Sequence, residues 1–447
     1  MDDVLQLAAR LAREYLDGLH ARAVTPTAQA IERLAELRVP VPDGPSDAAS
    51  VLTSLDDVGS PATMATAGGR FFGFVTGASL PVAVGASWLG TAWDQNAAMS
   101  AMSPIAVALE RVVLEWLREL LALPDGSVGA LVTGGTMASF TALAAARRSV
   151  LARAGWNVDD DGLFGAPPIT VVVGDEVHVA VVKALGLLGL GRSRVVRVAT
   201  DDQGRMRAAE LPRLDGPTIV CTQAGNVNTG ACDPIGTIAD AAHARDAWVH
   251  VDGAFGLWAA AAPARAPLVA GAERADSWAV DAHKWLNVPY DSGVAFVRDG
   301  AALRGAMTVI APYLTTGGPP EPCHATPEMS RRARAVEIWA VLRTLGRAGV
   351  AELVERCCRH AARFAERLRA AGYEVLNDVV LNQLLVSFGD DARTDAVVAA
   401  VQRDGTLWCG PTVWHDRRAM RISVASWATS EADVERAADA IINLAAL

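Results

Sequence analysis

The central part of the chain alternates short apolar runs with stretches of helical periodicity. Between about residues 128 and 298 the apolar runs are rich in β-branched residues, and each is four or five residues long. They read GALV, ITVVV, VVRV, TIVCT, AWVHV, SWAV and GVAFV, with helical patterns such as TMASFTALAAARRSVLARAG, HVAVVKALGLLGLG and PIGTIADAAHARD between them. This alternation predicts an α/β fold with a mostly parallel central sheet.

The flanking regions have different patterns. An amphipathic helical stretch, VLQLAARLAREYLDGL, and a proline-rich connector precede the alternation, and a stretch rich in glycine and proline, APYLTTGGPPEPCHATPEMS, follows it and predicts a loop. A long helical pattern from Arg331 to about Ala371 leads into short strand-like runs. We expect an N-terminal helical wrapping segment (1–70), a large domain (71–330) and a smaller C-terminal α+β domain (331–447).

Composition narrows the class of protein. The 447 residues carry a net charge of -10, and no basic block is interleaved with aromatic residues, which argues against a nucleic-acid partner. The six cysteines have no metal-like spacing and the chain starts without a leader pattern, so we expect a cytoplasmic protein. No uninterrupted apolar stretch is long enough for a membrane span, so we expect no membrane partner.

Lysine occurs at only two positions, Lys183 and Lys284, although the chain has forty basic residues. A lysine amine can lose its proton and attack a carbonyl to form a Schiff base, which a guanidinium cannot do. Lys284 lies in AVDAHKWLNV, after a strand-like run and close to Asp281 and His283. Lys183 lies in a helical pattern and is expected to be a surface residue.

Three further polar motifs follow predicted strands. In VTGGTMASF, a glycine turn opens a helix, where backbone N–H groups at Gly135 and Thr136 can hold a phosphate. In AWVHVDGAF, Asp252 can pair with a protonated pyridine nitrogen. In GDEVHVAVV, the imidazole of His178 can lie over a planar ring. With Lys284, these motifs meet the needs of a phosphorylated aldehyde cofactor.

The order of glycine turn, histidine, aspartate and lysine resembles that of the fold-type I pyridoxal phosphate enzymes. Within them it is similar to the group II amino-acid decarboxylases, which include the aromatic and glutamate decarboxylases. The stretches RFFGFVTGASLP, WDQNAAMSAMSP, QAGNVNTGACDP and AMRISVASWATS extend the likeness from about Gly69 to the C-terminus. The resemblance implies the fold-type I transferase fold, pyridoxal 5'-phosphate bound in the large domain, an amino-acid substrate and a homodimer.

The resemblance also implies a role for individual residues. Lys284 would be the Schiff-base lysine, Asp252 the partner of the pyridine nitrogen and His178 the stacking residue. The rest of the implied cofactor site is Gly135, Thr136, Asp281 and His283 around the phosphate, Ala254 beneath the ring and Thr222 near its phenolic edge. The resemblance implies Asn96 and Arg421 as substrate-binding residues, with a surface amide and an ion pair as the alternative explanations. The aromatic residues near Phe74 suggest an aromatic or bulky apolar substrate pocket, with core or dimer packing as the alternative.

The expected reaction is decarboxylation of an L-amino acid, with an aromatic amino acid as the candidate substrate, to its amine and carbon dioxide through a quinonoid that must be protonated. Aromatic decarboxylases use a loop tyrosine for this step, and here Pro322 or Cys323 falls near that position. We expect Tyr313 or His324 to supply the proton instead, with Tyr290 and His178 as further candidates.

Several alternatives remain open at the level of sequence. On the same fold, an unprotonated quinonoid can react with oxygen, giving oxidative deamination to an aldehyde, and Arg421 could support aminotransfer by gripping the α-carboxylate. An iron oxygenase site of the HxD type would use His250, Asp252 and His283, but such sites belong to all-β barrels. The protein could also be a non-catalytic binding protein, but this alternative does not explain the presence of Lys284 and Asp252.

Overall fold

The structure is a computed structural model that describes residues 2–308 and 320–446. The helices in these ranges are α1 (Asp2–Gly18), α2 (Ala28–Arg33), α3 (Ala48–Ala62), α4 (Pro81–Trp93), α5 (Pro104–Leu120), α6 (Gly135–Arg153), α7 (Val158–Asp161), α8 (Val179–Leu187), α9 (Ile235–His243), α10 (Gly300–Met307), α11 (Ala335–Ala370), α12 (Asp391–Asp404) and α13 (Glu431–Ala445). The strands are β1 (Val128–Val132), β2 (Thr170–Gly174), β3 (Val196–Val198), β4 (Thr218–Gln223), β5 (Trp248–Asp252), β6 (Ser277–Asp281), β7 (Gly293–Val297), β8 (Glu374–Val375), β9 (Gln383–Ser387), β10 (Gly410–Trp414) and β11 (Arg417–Ser423). Within the described ranges, no helix is long and apolar enough to cross a membrane.

The chain divides into two compact units. One comprises residues 79–359 and 377–384, and the other comprises residues 1–78, 360–376 and 385–447. The sequence predicted three segments, with residues 1–70 and 331–447 apart from each other. In the structure the N-terminal residues share a unit with most of the C-terminal residues, and α11 contributes to both units. Such a grouping depends on contacts between distant parts of the chain, which local patterns do not report.

The larger unit is built on a seven-stranded sheet with the order β1-β7-β6-β5-β4-β2-β3. β7 runs antiparallel to β1 and β6, while β6, β5, β4, β2 and β3 run parallel to one another. Every strand-like run of the central sequence forms one of these strands, and the predicted mostly parallel sheet is confirmed. The strands β4 to β7 are buried along their whole length, which explains their continuous apolar runs.

A close backbone contact fixes the turn that joins β1 to α6. A Cβ atom added to Gly293, at the start of β7, would lie 2.4 Å from the Cα of Gly134. Any larger residue would push the glycine turn away from the sheet. The helix α6 that follows is alanine-rich, and its buried residues Ala138, Ala142 and Ala145 let it lie close to the strands.

The smaller unit contains a four-stranded sheet with the order β10-β11-β9-β8. In this unit the ring of Trp408 stacks with the rings of Phe71 and Phe74, at centroid distances of 5.0 and 5.1 Å. Gly73 has no side chain because a Cβ there would lie 2.1 Å from the Trp408 ring. The predicted helix from Arg331 to Ala371 is shorter at its start and is interrupted at Gly346, whose φ of 59° is left-handed.

Candidate active site

A cavity of about 320 Å³ lies at the edge of the large sheet where β1, β5 and β6 end. It is lined by Thr133, Gly134, Gly135, Thr136, Met137, His178, Ala180, Asp252, Ala254, Asp281, His283 and Lys284. The carboxyl ends of parallel strands meet at one edge, so motifs that are far apart in sequence converge there. All four motifs singled out in the sequence contribute to this one cavity.

The amine of Lys284 has a carboxylate as its counter-ion. Its Nζ lies 3.2 Å from Oδ2 of Asp281, and Nε2 of His283 lies 3.6 Å from Oδ1 of the same carboxylate. Nδ1 of His283 accepts the N–H of Ser292 at 3.0 Å, so the neutral ring carries its proton on Nε2. Burial lowers the pKa of His283, although Asp281 opposes that shift, and the ring is therefore favoured in its neutral form.

The start of α6 provides a place for an anion. The first N–H groups of a helix have no acceptor within it, and the helix dipole adds partial positive charge there. Gly134 and Gly135 bring this backbone close to the cluster, since a Cβ on Gly135 would lie 3.0 Å from Oδ2 of Asp281. Oδ1 of Asp281 is buried and has no hydrogen-bond partner among the described residues. Such an oxygen is a free acceptor, which a ligand group that carries a hydrogen-bond donor can fill.

Asp252 provides a second carboxylate in the cavity. It ends β5, it is 7% exposed, and its Oδ1 accepts the N–H of Ala254 at 3.2 Å. A buried carboxylate needs a positive or hydrogen-bonding partner, and the protonated nitrogen of a pyridine ring is such a partner. Ala254, which also lines the cavity, has no bulk beyond its methyl group that would obstruct a flat ring.

His178 enters the cavity from the start of α8. Its Nδ1 accepts the N–H of Ala180 at 3.3 Å and so caps the helix. This bond assigns the proton of the neutral ring to Nε2 and fixes the orientation of the imidazole. The residues of the cavity therefore fit pyridoxal phosphate: an amine for its aldehyde, a helix start for its phosphate, a carboxylate for its nitrogen and an imidazole beside them.

Other predicted residues lie elsewhere. Thr222 donates to the carbonyl oxygen of His250 at 3.2 Å and does not line the cavity. His324 accepts the N–H of Glu321 through Nδ1 at 3.2 Å and is also absent from the lining. Asn96 lines a different cavity of about 630 Å³, where its Oδ1 accepts from the backbone of residues 98 and 331.

Three predicted residues cannot be compared with the cavity in this way. Tyr313 lies outside the described residues. Phe74 and Arg421 belong to the smaller unit, where Phe74 is 64% exposed and burial lowers the pKa of Arg421. Their roles toward a substrate stay predictions.

The structure adds residues that the sequence did not single out as part of the site. Thr133, Gly134, Met137 and Ala180 line the cavity because each is next to, or within two residues of, a predicted one. Tyr290, considered as a proton donor, packs its ring against His283 with a centroid distance of 4.4 Å. The signal available in the sequence was that Tyr290 lies only seven residues after His283.

The iron-site alternative does not match the surroundings of His250. This ring is fully buried within the sheet, its Nδ1 lies 2.9 Å from Oγ of Ser277, and burial lowers its pKa to about 3. Over residues 2–308 and 320–446, no group of three or more His, Cys, Asp or Glu side chains could hold a metal ion. The α/β sheet also differs from the all-β barrel that this alternative requires.

Comparison with known proteins gives an amino-acid decarboxylase and an aldehyde synthase among the relatives. The chain is 29% identical to the aromatic-L-amino-acid decarboxylase of Bacillus atrophaeus over 314 residues, which are 67% of this chain and 62% of that protein. It is 28% identical to the 4-hydroxyphenylacetaldehyde synthase of Rhodiola rosea over 303 residues, 64% of this chain and 59% of the relative. The matches thus span about three fifths of the length of these two proteins.

Solved structures share the fold. The crystal structure of Oryza sativa TDC with PLP and tryptamine superimposes with a TM-score of 0.92 at 24% identity, and the match covers 100% of this chain and 97% of that one. Residues 33–389, most of the chain, match the model of the pyridoxal-dependent decarboxylase conserved domain. The resemblance noted in the sequence is therefore confirmed, and the chain belongs to the pyridoxal-dependent decarboxylase family.

Proposed function

We propose that the protein removes the α-carboxylate of an L-amino acid as carbon dioxide and releases the corresponding amine. The observation that carries this proposal is the pairing of Lys284 with Asp281 in the same cavity as the buried carboxylate of Asp252. When bound, pyridoxal phosphate supplies an electron sink for the pair of electrons that the departing carboxylate leaves behind. The protein's task is to hold that sink and to manage protons around it.

Each side chain of the cavity has a distinct task in this proposal. Lys284 offers the amine for the cofactor's aldehyde, and Asp281 holds the lysine in place at 3.2 Å. Asp252 keeps the pyridine nitrogen protonated, because its buried carboxylate is stabilised by a positive partner. The first turn of α6 with Thr136 receives the phosphate through backbone N–H groups and a hydroxyl.

The source of the proton that replaces the carboxylate is a separate question. Among the described residues of the cavity, His178 carries a proton on Nε2 in its neutral form because Nδ1 is engaged with Ala180. We propose that His178 holds or passes this proton in addition to stacking on the ring. Tyr313 and His324 remain the other proposed donors, and the absence of His324 from the lining leaves it dependent on a relay.

A direct experiment tests the decarboxylase proposal. Purified protein is mixed with pyridoxal phosphate, freed of unbound cofactor and examined for a visible absorption band, and carbon dioxide release is then measured across the common amino acids. We expect a bound cofactor and release from at least one amino acid, with an equal amount of amine. A protein that binds the cofactor and releases carbon dioxide from none of them would contradict the proposed reaction.

Oxidative deamination is the second candidate reaction. A relative named 4-hydroxyphenylacetaldehyde synthase matches this chain about as well as a decarboxylase does. Amine, aldehyde and peroxide measured in one reaction mixture separate the two outcomes, because only the oxidative route consumes oxygen. Aminotransfer, the third possibility on this fold, would require an added keto acid.

An aromatic amino acid is the proposed substrate class. The names of the two relatives and the tryptamine bound in the rice structure support this choice. Phe74 is proposed to contribute an exposed ring to the substrate side, while Arg421 would suit an acidic substrate. Comparing carbon dioxide release from tyrosine, tryptophan and phenylalanine with release from glutamate and aspartate decides between these two expectations.

The protein is further proposed to act as a homodimer. The helices α4, α5 and α11 pack together through a cluster of buried apolar residues, and they also expose large apolar side chains. The exposed residues on or beside these helices are Trp88, Leu89, Trp93, Met102, Ile105 and Trp339. Exposed apolar side chains in such number support association, which light scattering after size-exclusion chromatography would detect. A cytoplasmic location is proposed as well, and cell fractionation tests it.

A further inference from the structure

Gln223 is a buried amide at the end of β4 that does not line the cavity. Its side chain is 5% exposed, and Nε2 donates to the carbonyl oxygen of Glu176 at 2.8 Å. Glu176 lies in the turn between β2 and α8, two residues before His178. The amide therefore crosses from one strand to the loop that carries the imidazole of the cavity.

The backbone of Gln223 is held firmly from the opposite side. Its N–H donates to Oδ2 of Asp233 at 2.7 Å, and its carbonyl oxygen accepts the N–H of Asp233 at 2.9 Å. Gln223 is also the register partner of Asp252 in the β4–β5 pair, and the N–H of Ala224 donates to the carbonyl oxygen of Asp252 at 2.9 Å. The position of Gln223 is thus tied to that of Asp252.

The turn that carries His178 has other bonds, and they come from the other direction. The N–H of Asp175 donates to the carbonyl oxygen of Val198, and the guanidinium of Arg197 donates to the carbonyl oxygen of Asp175, both at 2.9 Å. Val198 and Arg197 belong to β3, the edge strand on the side of β2 away from β4. These bonds hold the turn to the edge of the sheet, whereas Gln223 ties it to the strand beside Asp252.

We propose that Gln223 is a positioning residue that sets the imidazole of His178 relative to the carboxylate of Asp252. The inference rests on the proposed function, since it takes both side chains to contact the cofactor. A ring held between a stacking group and a carboxylate requires both at fixed separation, and small displacements in such sites weaken binding. Without its amide donor the turn loses this bond to β4, and the imidazole of His178 is expected to shift relative to Asp252.

Two substitutions of Gln223 test the proposal, with one matched control. Gln223→Met keeps the length of the side chain and removes the donor, while Gln223→Glu donates only when its carboxyl is protonated. Gln402→Met is the control, because Gln402 donates to the carbonyl oxygen of Cys409 at the same 2.8 Å in the smaller unit. The measurements on the holoenzyme are visible circular dichroism, which reports the setting of the bound ring, and the rate of cofactor release.

We expect Gln223→Met to alter the circular dichroism of the bound cofactor and to speed its release about tenfold, the effect of one lost buried hydrogen bond. Gln402→Met should leave both measurements unchanged. Gln223→Glu should behave like the methionine variant at about pH 8 and return toward wild type at about pH 5.5, as its carboxyl gains a proton. The methionine variant should show no such return.

Three results would overturn the role of Gln223: an unchanged spectrum and release rate in Gln223→Met, equal changes in Gln223→Met and Gln402→Met, or no recovery of Gln223→Glu in acid. If the methionine variant does not fold, the acid recovery of the glutamate variant decides the matter. If the wild-type protein takes up no pyridoxal phosphate, the proposed function is contradicted, and the role of Gln223 with it. If the wild-type protein binds the cofactor and the Gln223 variants have the same spectrum and release rate as wild type, only the role of Gln223 is contradicted.

Discussion

The two lysines of the chain occupy opposite settings in the larger unit. Lys284 follows β6 at the edge where the strands end, with 18% of its side chain exposed and Asp281 as its counter-ion. Lys183 lies on α8 with its side chain exposed to solvent. The comparison shows that a lysine amine forms part of a functional site only where the sheet places other functional groups next to it.

Histidine and aspartate residues also differ in whether they lie in the cavity at the edge of the sheet or away from it. His178 lines the cavity from the start of a helix, whereas His250 is buried in the middle of β5 and is held neutral there. Asp252 ends β5 inside the cavity, whereas Asp202 is exposed in a turn. The lysine pair and the aspartate pair each provide a test in which the same substitution is made at the edge of the sheet and away from it.

The largest effect is expected from replacing each lysine by arginine. Lys284→Arg keeps a positive charge beside Asp281 but removes the amine, so the covalently held cofactor should be lost and carbon dioxide release should fall at least about 10³-fold. Lys183→Arg should match wild type. Borohydride reduction followed by peptide mass spectrometry measures attachment. If both variants lost cofactor attachment and carbon dioxide release to a similar extent, the proposed difference between the two lysines would be wrong.

Next in size is the replacement of the cavity aspartate. Asp252→Asn keeps the shape of the side chain and removes the charge that keeps the pyridine nitrogen protonated, so the turnover number should fall about 10²-fold or more. Asp202→Asn serves as the exposed control and should leave turnover unchanged. Steady-state kinetics at saturating substrate and cofactor measures both. A turnover number within twofold of wild type in Asp252→Asn would contradict the assignment.

The pH dependence of stability should report the interior histidine. Burial lowers the pKa of His250 to about 3 in the folded chain. In the unfolded chain the same histidine has its ordinary pKa of about 6.5, so between about pH 3 and pH 6.5 the unfolded chain binds the proton more tightly. The contribution of His250 to stability is therefore present above about pH 6.5 and is lost as the pH falls. Going from pH 7 to pH 4.5 should cost roughly 3 kcal/mol in the free energy of unfolding through this residue.

Urea unfolding of His250→Gln and His20→Gln at the two pH values checks that expectation. His20 is exposed at the surface, so it provides the control substitution. The pH difference should shrink in His250→Gln and persist in His20→Gln. If both variants retain the wild-type difference, the acid sensitivity arises elsewhere in the molecule.

The smallest effect is expected from Asp281→Asn. The carboxylate lies next to the start of α6, where it repels a phosphate, but it also holds Lys284. Removing its charge should slow cofactor release by about threefold, because the repulsion is lost while the amide still fits. Release is followed by fluorescence after dilution, with Asp202→Asn for comparison. A tenfold faster release would contradict this expectation and show that the charge of Asp281 helps to bind the cofactor.

Several parts of the site could be predicted because their signals are local. The strand runs GALV, AWVHV and SWAV form β1, β5 and β6, and the polar residue that follows each run, Thr133, Asp252 or Asp281, lines the cavity. Thr222 shows what the local signals leave out. It is near the end of a correctly predicted strand, yet its hydroxyl binds the carbonyl of His250, and the strand pattern holds no information about that partner.

Asn96 and Gln223 both depend on partners that the sequence does not reveal. The substrate role of Asn96 stays a prediction, and its Oδ1 accepts from the backbone of residue 331, far along the chain. Gln223 begins the stretch QAGNVNTGACDP, whose pattern indicates no role for its amide, and the structure places it between the turn of His178 and the strand of Asp252. Neither partner could be inferred from neighbours in the chain, because each lies on a different element.

The sequence by itself determined the α/β pattern, the order of the cofactor motifs and the single lysine placed among them. These features depend on local periodicity and on residue chemistry, which a chain carries in any conformation. Tertiary structure alone decided that Thr222 binds the carbonyl oxygen of His250 and that Gln223 braces the turn before His178. Such partners are set by strand order and packing, which bring distant segments within hydrogen-bond distance only after the sheet has formed.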